Sequence, residues 1–213
     1  MEMRAYPSDY LNIAQRVLGD MLDFAVNTCE MDIDKYFELF TISSVSTHFQ
    51  NGNPSYIAGK TGCELVRKVV EDAGLPPLQY EDEMYLDKSP EYWVGWALAY
   101  YQWFTCRPFI KIHKVTTLKN ILSMYDVYHE MDITHFVDTM DQLWDEYYKD
   151  TNLKRIRQIA GLSQRELSDL SGIPLRQIQL FEQRQRNINH TKAIDIVKLG
   201  RVLGCQPEDL LQI

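Results

Sequence analysis

No Cys-x-x-Cys spacing occurs in the sequence, whose four cysteines, Cys29, Cys63, Cys106 and Cys205, stand far apart. Neither a structural zinc site nor a disulfide framework is suggested, and reduced, mostly buried thiols are expected. A membrane span is missing too. The longest apolar run, "WVGWALAYYQWFTC" from Trp93 to Cys106, carries Gln102 and is shorter than the roughly 20 residues of a spanning helix. The opening MEMRAYPSDY has no basic segment followed by an apolar run, so no secretory signal is read and a cytoplasmic location is expected. Alternation of the strand type is also lacking over any useful length, which leaves an all-α reading. At 213 residues, 45% hydrophobic and 24% charged, the chain has the composition of a folded protein and the length for two domains.

Catalytic and cofactor signatures are equally sparse. Gly59–Lys60–Thr61 has the ending of a phosphate loop, but Pro54 stands where its first glycine belongs, so a turn into a capped helix is expected. His129, Glu130 and His135 lie close together, yet the histidines are six apart and miss the HExxH spacing that sets two ligands on one helical face. No Ser/His/Asp, Cys/His or paired-carboxylate constellation can be placed. No catalytic residue, metal or cofactor is assigned, and enzymatic activity is not expected.

Charge, by contrast, is strongly patterned. The formal net charge is −8, but residues 151–213 hold ten basic and six acidic side chains, a net of +4, leaving −12 on residues 1–150. The hydrophobic pattern changes at the same place, so a boundary near residue 150 is expected between an acidic helical domain, 1–150, and a basic one, 151–213.

In the acidic part, Ser8 opens a first helix carrying Leu11, Ala14, Val17, Leu18, Met21, Leu22 and Ala25 at helical spacing. A second passes through Tyr36, Phe37, Leu39 and Phe40, and a turn-like "FQNGNPSYIAG" follows. Thr61 and Glu64 have capping-box spacing ahead of Leu65, Val66, Val69 and Val70, and Gly74 with Pro76–Pro77 ends that helix. Ser89–Pro90 starts an aromatic helix, and helices are expected at about 116–128 and 133–148. Trp93, Trp96, Tyr100 and Trp103 form a stripe on one face, expected in the core, with a ligand pocket or partner groove as the alternative. "EMDI" occurs at Glu30–Ile33 and again at Glu130–Ile133, a hint of duplication outside the short-period repeat classes. The acidic "YEDEMYLD" reads as a solvated face or a surface for a basic protein partner.

From Leu153 five short helices are expected. Leu153, Ile156 and Ala160 make the first apolar face, Ser163 with Glu166 forms a second capping box, and Leu167 and Leu170 point inward behind it. Gly172 supplies the turn. Ile178 and Phe181 anchor the third helix, Ile194, Val197 and Val202 the fourth, and Pro207 starts a fifth with Leu210 and Leu211.

These stretches, "LKRIRQIAGLSQRELSDLSGIPLRQIQLFEQ" followed by "LGRVLGCQPEDLL", resemble the phage-repressor-like helix-turn-helix family, the xenobiotic-response-element class. The resemblance covers about 60 residues and implies a five-helix domain whose third helix enters the major groove. It implies that Gln164 contacts phosphate and the groove edge, with Arg165 beside it, and that Leu175, Arg176, Gln179 and Leu180, flanked by Gln177 and Gln183, face the bases. Arg184, Arg186, Asn187 and Lys192 would form a phosphate-binding edge. Two positions depart from the family, which has a polar residue in place of Leu180 and glycine in place of Arg184.

The acidic part, through "NPSYIAGKTGCELV" and "YWVGWALAYYQWF…YHEMDI", resembles an uncharacterised bacterial domain that accompanies such modules near small toxin-like genes. The combined expectation is a sequence-specific regulator of double-stranded DNA, the antitoxin or autoregulator of a toxin-antitoxin-like locus. It would act as a homodimer and hold a protein partner, a toxin, through residues 1–150. The alternatives are a repressor sensing a small ligand at the aromatic helix and an enzyme with a DNA-targeting tail.

Overall fold

A computed structural model describes residues 4–82 and 87–212. Helices dominate, and no strand occurs among the described residues. The contacts divide the chain into two compact units, Met1–Trp144 and Asp145–Ile213, a few residues before the boundary expected from charge. Of the acidic stretch Tyr80–Asp87, residues 83–86 lie outside the described residues. No helix among the described residues is long and apolar enough to cross a membrane.

In the first unit the helices are α1 (Leu11–Asp23), α2 (Ile33–Ile42), α3 (Ser44–Gln50), α4 (Pro54–Ile57), α5 (Gly62–Asp72), α6 (Pro90–Thr105), α7 (Phe109–Val115), α8 (Leu118–Leu122), α9 (Tyr125–Tyr128) and most of α10 (Ile133–Tyr147), which runs three residues past the boundary. Ser8 opens a 3-10 turn instead of capping α1. The stretch read as turn-like holds the four-residue α4, begun by the Asn53 side chain accepting from the Ser55 N–H at 3.0 Å. Thr61 and Glu64 close the capping box of α5, so Gly59–Lys60–Thr61 is the turn into a helix that its spacing suggested. Both copies of "EMDI" do one local job. Asp32 caps α2, and Asp132 Oδ1 accepts from the Thr134 N–H at 2.9 Å where α10 begins.

Two glycines decide how the unit packs. A Cβ on Gly95 would fall onto the carbonyl oxygen of Leu18, and one on Gly62 onto the backbone of Met21, so α6 and the start of α5 come to α1 at a separation that no side chain allows. Around these crossings Phe37, Phe40, Phe49 and Phe109 are fully buried, with Phe109 set edge-on to Phe40 at 5.1 Å. The aromatic stripe is not the deepest face of α6. Val94, Ala97, Leu98 and Tyr101 are wholly buried, while Trp96, Tyr100 and Trp103 pack on the periphery. Close helix approach needs small residues at the contact, and the large rings are displaced to its flanks. Trp103 there donates its indole N–H to the Tyr6 carbonyl at 2.8 Å.

The second unit contains α11 (Asn152–Ile159), α12 (Gln164–Ser171), α13 (Leu175–Glu182) and α14 (Ala193–Leu203), with 3-10 turns at Ile188–His190 and Pro207–Leu210. Its core is small: Leu153, Leu167, Ile173, Ile178, Phe181, Ile188, Leu199, Leu203 and Leu210. Three apolar residues expected inside lie outside. Leu170 is 63% and Ile194 55% exposed, and Ala160 is exposed as well. The short α11 and α12 bury one narrow stripe each, and on α14 that stripe is Leu199, Gly200 and Leu203, one helical face away from Ile194.

Candidate nucleic-acid interface

The pair α12 and α13 is joined by a turn held at several points. Ser163 accepts from the Glu166 N–H while Glu166 accepts from the Ser163 N–H at 2.7 Å, which starts α12. This contact holds the Glu166 carboxyl below the ordinary glutamate value. Gly172, at φ 69°, ends α12 in the left-handed conformation that glycine adopts without strain. Ser168 then donates to the Ile173 carbonyl at 2.7 Å, and Ser171 accepts from the Ile173 N–H at 3.3 Å, so buried Ile173 is fixed between the helices.

Behind the pair lies a buried charge network. Arg157 of α11 donates through Nε to Glu182 Oε1 at 2.6 Å and through a terminal nitrogen to Oε2 at 2.9 Å. Its other terminal nitrogen donates to the Leu162 carbonyl at 2.6 Å. Gln164 Nε2 reaches the same Glu182 Oε2 at 2.7 Å. Both charged residues are 8% exposed, and the carboxylate raises the Arg157 pKa above the usual arginine value. One carboxylate therefore ties the end of α13 to the start of α12 and to α11, in the bidentate geometry that gives such pairs directional strength. Sequence spacing does not reveal the pair, because its members stand 25 residues apart and an arginine on a basic helix reads as surface.

The third helix of this unit, α13, turns Ile178, Phe181 and Glu182 inward. Arg176, Gln179, Leu180 and Gln183 fall on the opposite side at i, i+3, i+4 and i+7, with Leu175 one turn from Gln179. Arg176 and Gln183 are exposed; Leu175, Gln179 and Leu180 are half-buried. This row joins the four residues expected to face bases with Gln183 beside them. Two other residues expected at the DNA are engaged within the protein. Gln177 Nε2 donates to Thr191 Oγ1 at 3.2 Å, and the Gln164 amide nitrogen belongs to Glu182, which leaves its oxygen for other contacts. Arg165 on α12, and Arg186, Asn187 and Lys192 in the segment before α14, are exposed.

At Arg184, where the resembling family has glycine, the backbone still takes the glycine conformation, with φ 56°. Its N–H bonds the Phe181 carbonyl at 3.1 Å, and the Arg186 N–H bonds that of Leu180 at 3.1 Å, so the helix-ending turn forms. The strain is partly offset by a guanidinium bond to the Tyr148 carbonyl. No cluster of three potential metal ligands occurs among the described residues. No family model matches the chain, and comparison with curated proteins and with solved structures likewise returns no match.

Proposed function

We propose that the chain is a sequence-specific DNA-binding regulator that reads the major groove with α13. The observation that carries the reading is the row Leu175, Arg176, Gln179, Leu180 and Gln183 on the side of α13 turned away from its core, with Arg176 and Gln183 exposed and the other three half-buried, braced from behind by the Arg157–Glu182–Gln164 network. A rigid helix presenting an arginine and two glutamines has the donors and acceptors for base edges: arginine pairs with guanine O6 and N7, glutamine with adenine N6 and N7, and a leucine packs on a thymine methyl. Arg165, Arg184, Arg186 and Lys192 would supply sequence-independent phosphate contacts. A homodimer would span two half-sites about one helical turn apart. The acidic part, with its net of −12, would repel the duplex unless held away from it, and we assign it the protein partner, a toxin in the antitoxin form of the proposal.

The test is selection from a random duplex pool with the full chain, followed by titration of the enriched sequence across salt concentrations. Enrichment of one motif, with affinity falling steeply as salt rises, is expected. Arg176→Ala is expected to weaken that motif by about 1–3 kcal/mol and to relax the preference at a single base pair. A pool that stays unenriched, or an Arg176→Ala loss equal on scrambled DNA, removes α13 as the reading helix.

A further inference from the structure

We propose that the cleft beside Trp93 and Trp96 binds a small aromatic acid: a planar system of one or two rings carrying a carboxylate. The site lies in the first unit and stands independently of the DNA reading. Tyr92, Trp93 and Trp96 from the first two turns of α6 line it together with Tyr125 and Tyr128 of α9 and Met131 after them. The cleft is open to the surface and its volume is about 300 Å³, at the lower end of small-ligand sites and about right for two fused rings.

The walls are built flat surfaces. Trp93 meets Tyr125 edge-on at 5.7 Å and Phe136 at 5.5 Å. Tyr125 is stacked on His129 at 4.3 Å with 17° between the rings, and the His129 Nδ1 bonds the Tyr125 carbonyl at 2.7 Å. The Tyr128 hydroxyl is bonded to Thr139 Oγ1 at 2.8 Å. Rings fixed in this way offer stacking and edge-on contact to a planar guest with little ordering cost.

The sign of the ligand charge follows from what lines the cleft. Carboxylates outnumber bases two to one in residues 1–150, yet among the described residues the lining holds the bases Lys88 and His129 and no carboxylate. The Lys88 ammonium stands 2.8 Å from Asp20 Oδ1 and 4.3 Å from the centroid of the Tyr92 ring. Asp20 occupies one of its three donors and holds it in place, leaving donors for a ligand carboxylate. His129 has Glu130 at 3.6 Å on its other nitrogen, outside the lining. Ser89 is committed elsewhere: its hydroxyl donates to buried Asp23 at 2.7 Å and accepts from the Tyr92 N–H at 3.0 Å, which anchors the Lys88 segment to the start of α6. A cationic guest would meet the Lys88 ammonium, with the neighbouring Asp20 carboxylate already paired to it, despite the aromatic rings.

Calorimetric titration of the full chain with 2-naphthoate, 2-naphthol and 2-naphthylmethylammonium separates ring recognition from charge recognition. Saturable binding of one naphthoate per chain is expected, with the neutral naphthol about tenfold weaker and no saturation by the ammonium. Trp96→Ala should abolish naphthoate binding. Lys88→Gln, on an exposed segment with folding checked by circular dichroism, should reduce naphthoate to the naphthol level and leave naphthol unchanged. Absence of saturable naphthoate binding, naphthol or the ammonium binding as well as the acid, or naphthoate affinity unchanged in folded Lys88→Gln would each overturn the assignment.

Discussion

The two units reach order by different means. The first buries a broad core in which fully enclosed Phe37, Phe40, Phe49, Phe109 and Tyr101 surround helices brought together at glycines. The second has, among the described residues, nine buried apolar residues and, beside them, the bidentate Arg157–Glu182 pair. A small unit has too little apolar area to fix its helices by packing alone, and directional contacts supply the remainder. In the first unit the buried Asp23 is held by neutral donors, Asn27 and Ser89; in the second an oppositely charged pair goes inside. The expected price of disturbing each unit differs accordingly.

The largest effect is expected from Glu182→Ala, which leaves the Arg157 guanidinium buried without its carboxylate, at about 3–5 kcal/mol. Thermal unfolding should show the second unit melting early and the first unchanged; a common downward shift of both would break the distinction between them. Replacing both partners by Met and Leu is expected to restore most of the stability, since well-packed apolar residues can match a buried pair. DNA affinity then reports whether the pair also sets the angle of α13.

Gly95→Ala addresses the first unit. The added Cβ meets backbone, not a movable side chain, so α1 and α6 must separate, at about 2–3 kcal/mol. Urea unfolding followed by tryptophan fluorescence would register it, because all four tryptophans lie in that unit. Stability equal to the parent would show that the helices can slide apart freely, which a close-packed core does not allow.

A smaller effect of opposite sign is expected at the end of α13. Arg184→Gly relieves the positive φ and is expected to stabilise by about 0.5–1 kcal/mol, less the lost bond to Tyr148, while Arg184→Ala keeps the strain and loses the bond. Denaturant midpoints falling in the order glycine, arginine, alanine would support this account; arginine above glycine would refute it.

The smallest effect concerns acid. The Ser163 N–H lowers the Glu166 pKa in the folded state, so the stability it contributes is present above the ordinary glutamate value and is lost as pH falls through the lowered one. The Asp32 carboxyl, held down first by its bond from Lys119, has the same sign in the first unit. Acid titration of Glu166→Gln should flatten the low-pH fall of the second unit alone, and Lys119→Ala that of the first. If either variant flattens both, the units do not titrate separately.

What the sequence determined by itself was local. Thr61 with Glu64, Ser163 with Glu166 and Gly172 were legible because each bonds or bends the backbone within a few residues, where spacing alone decides the geometry. The all-α class followed from the same periodicity. The expected row on α13 was legible as well, since Ile178 and Phe181 fixed which side faces away. Tertiary structure decided the rest. Leu170 and Ile194 are apolar and at helical spacing, yet which stripe of a short helix is covered depends on the helices laid against it. Of the aromatic stripe, Trp93 stayed in the core as expected, while Trp96, Tyr100 and Trp103 went to the periphery of α6 because Gly95 and its small neighbours let α1 come close. Arg157 found Glu182 across 25 residues only when α11, α12 and α13 folded together. A charge pair has no sequence period, so its meeting is set by the packing that excludes water around it.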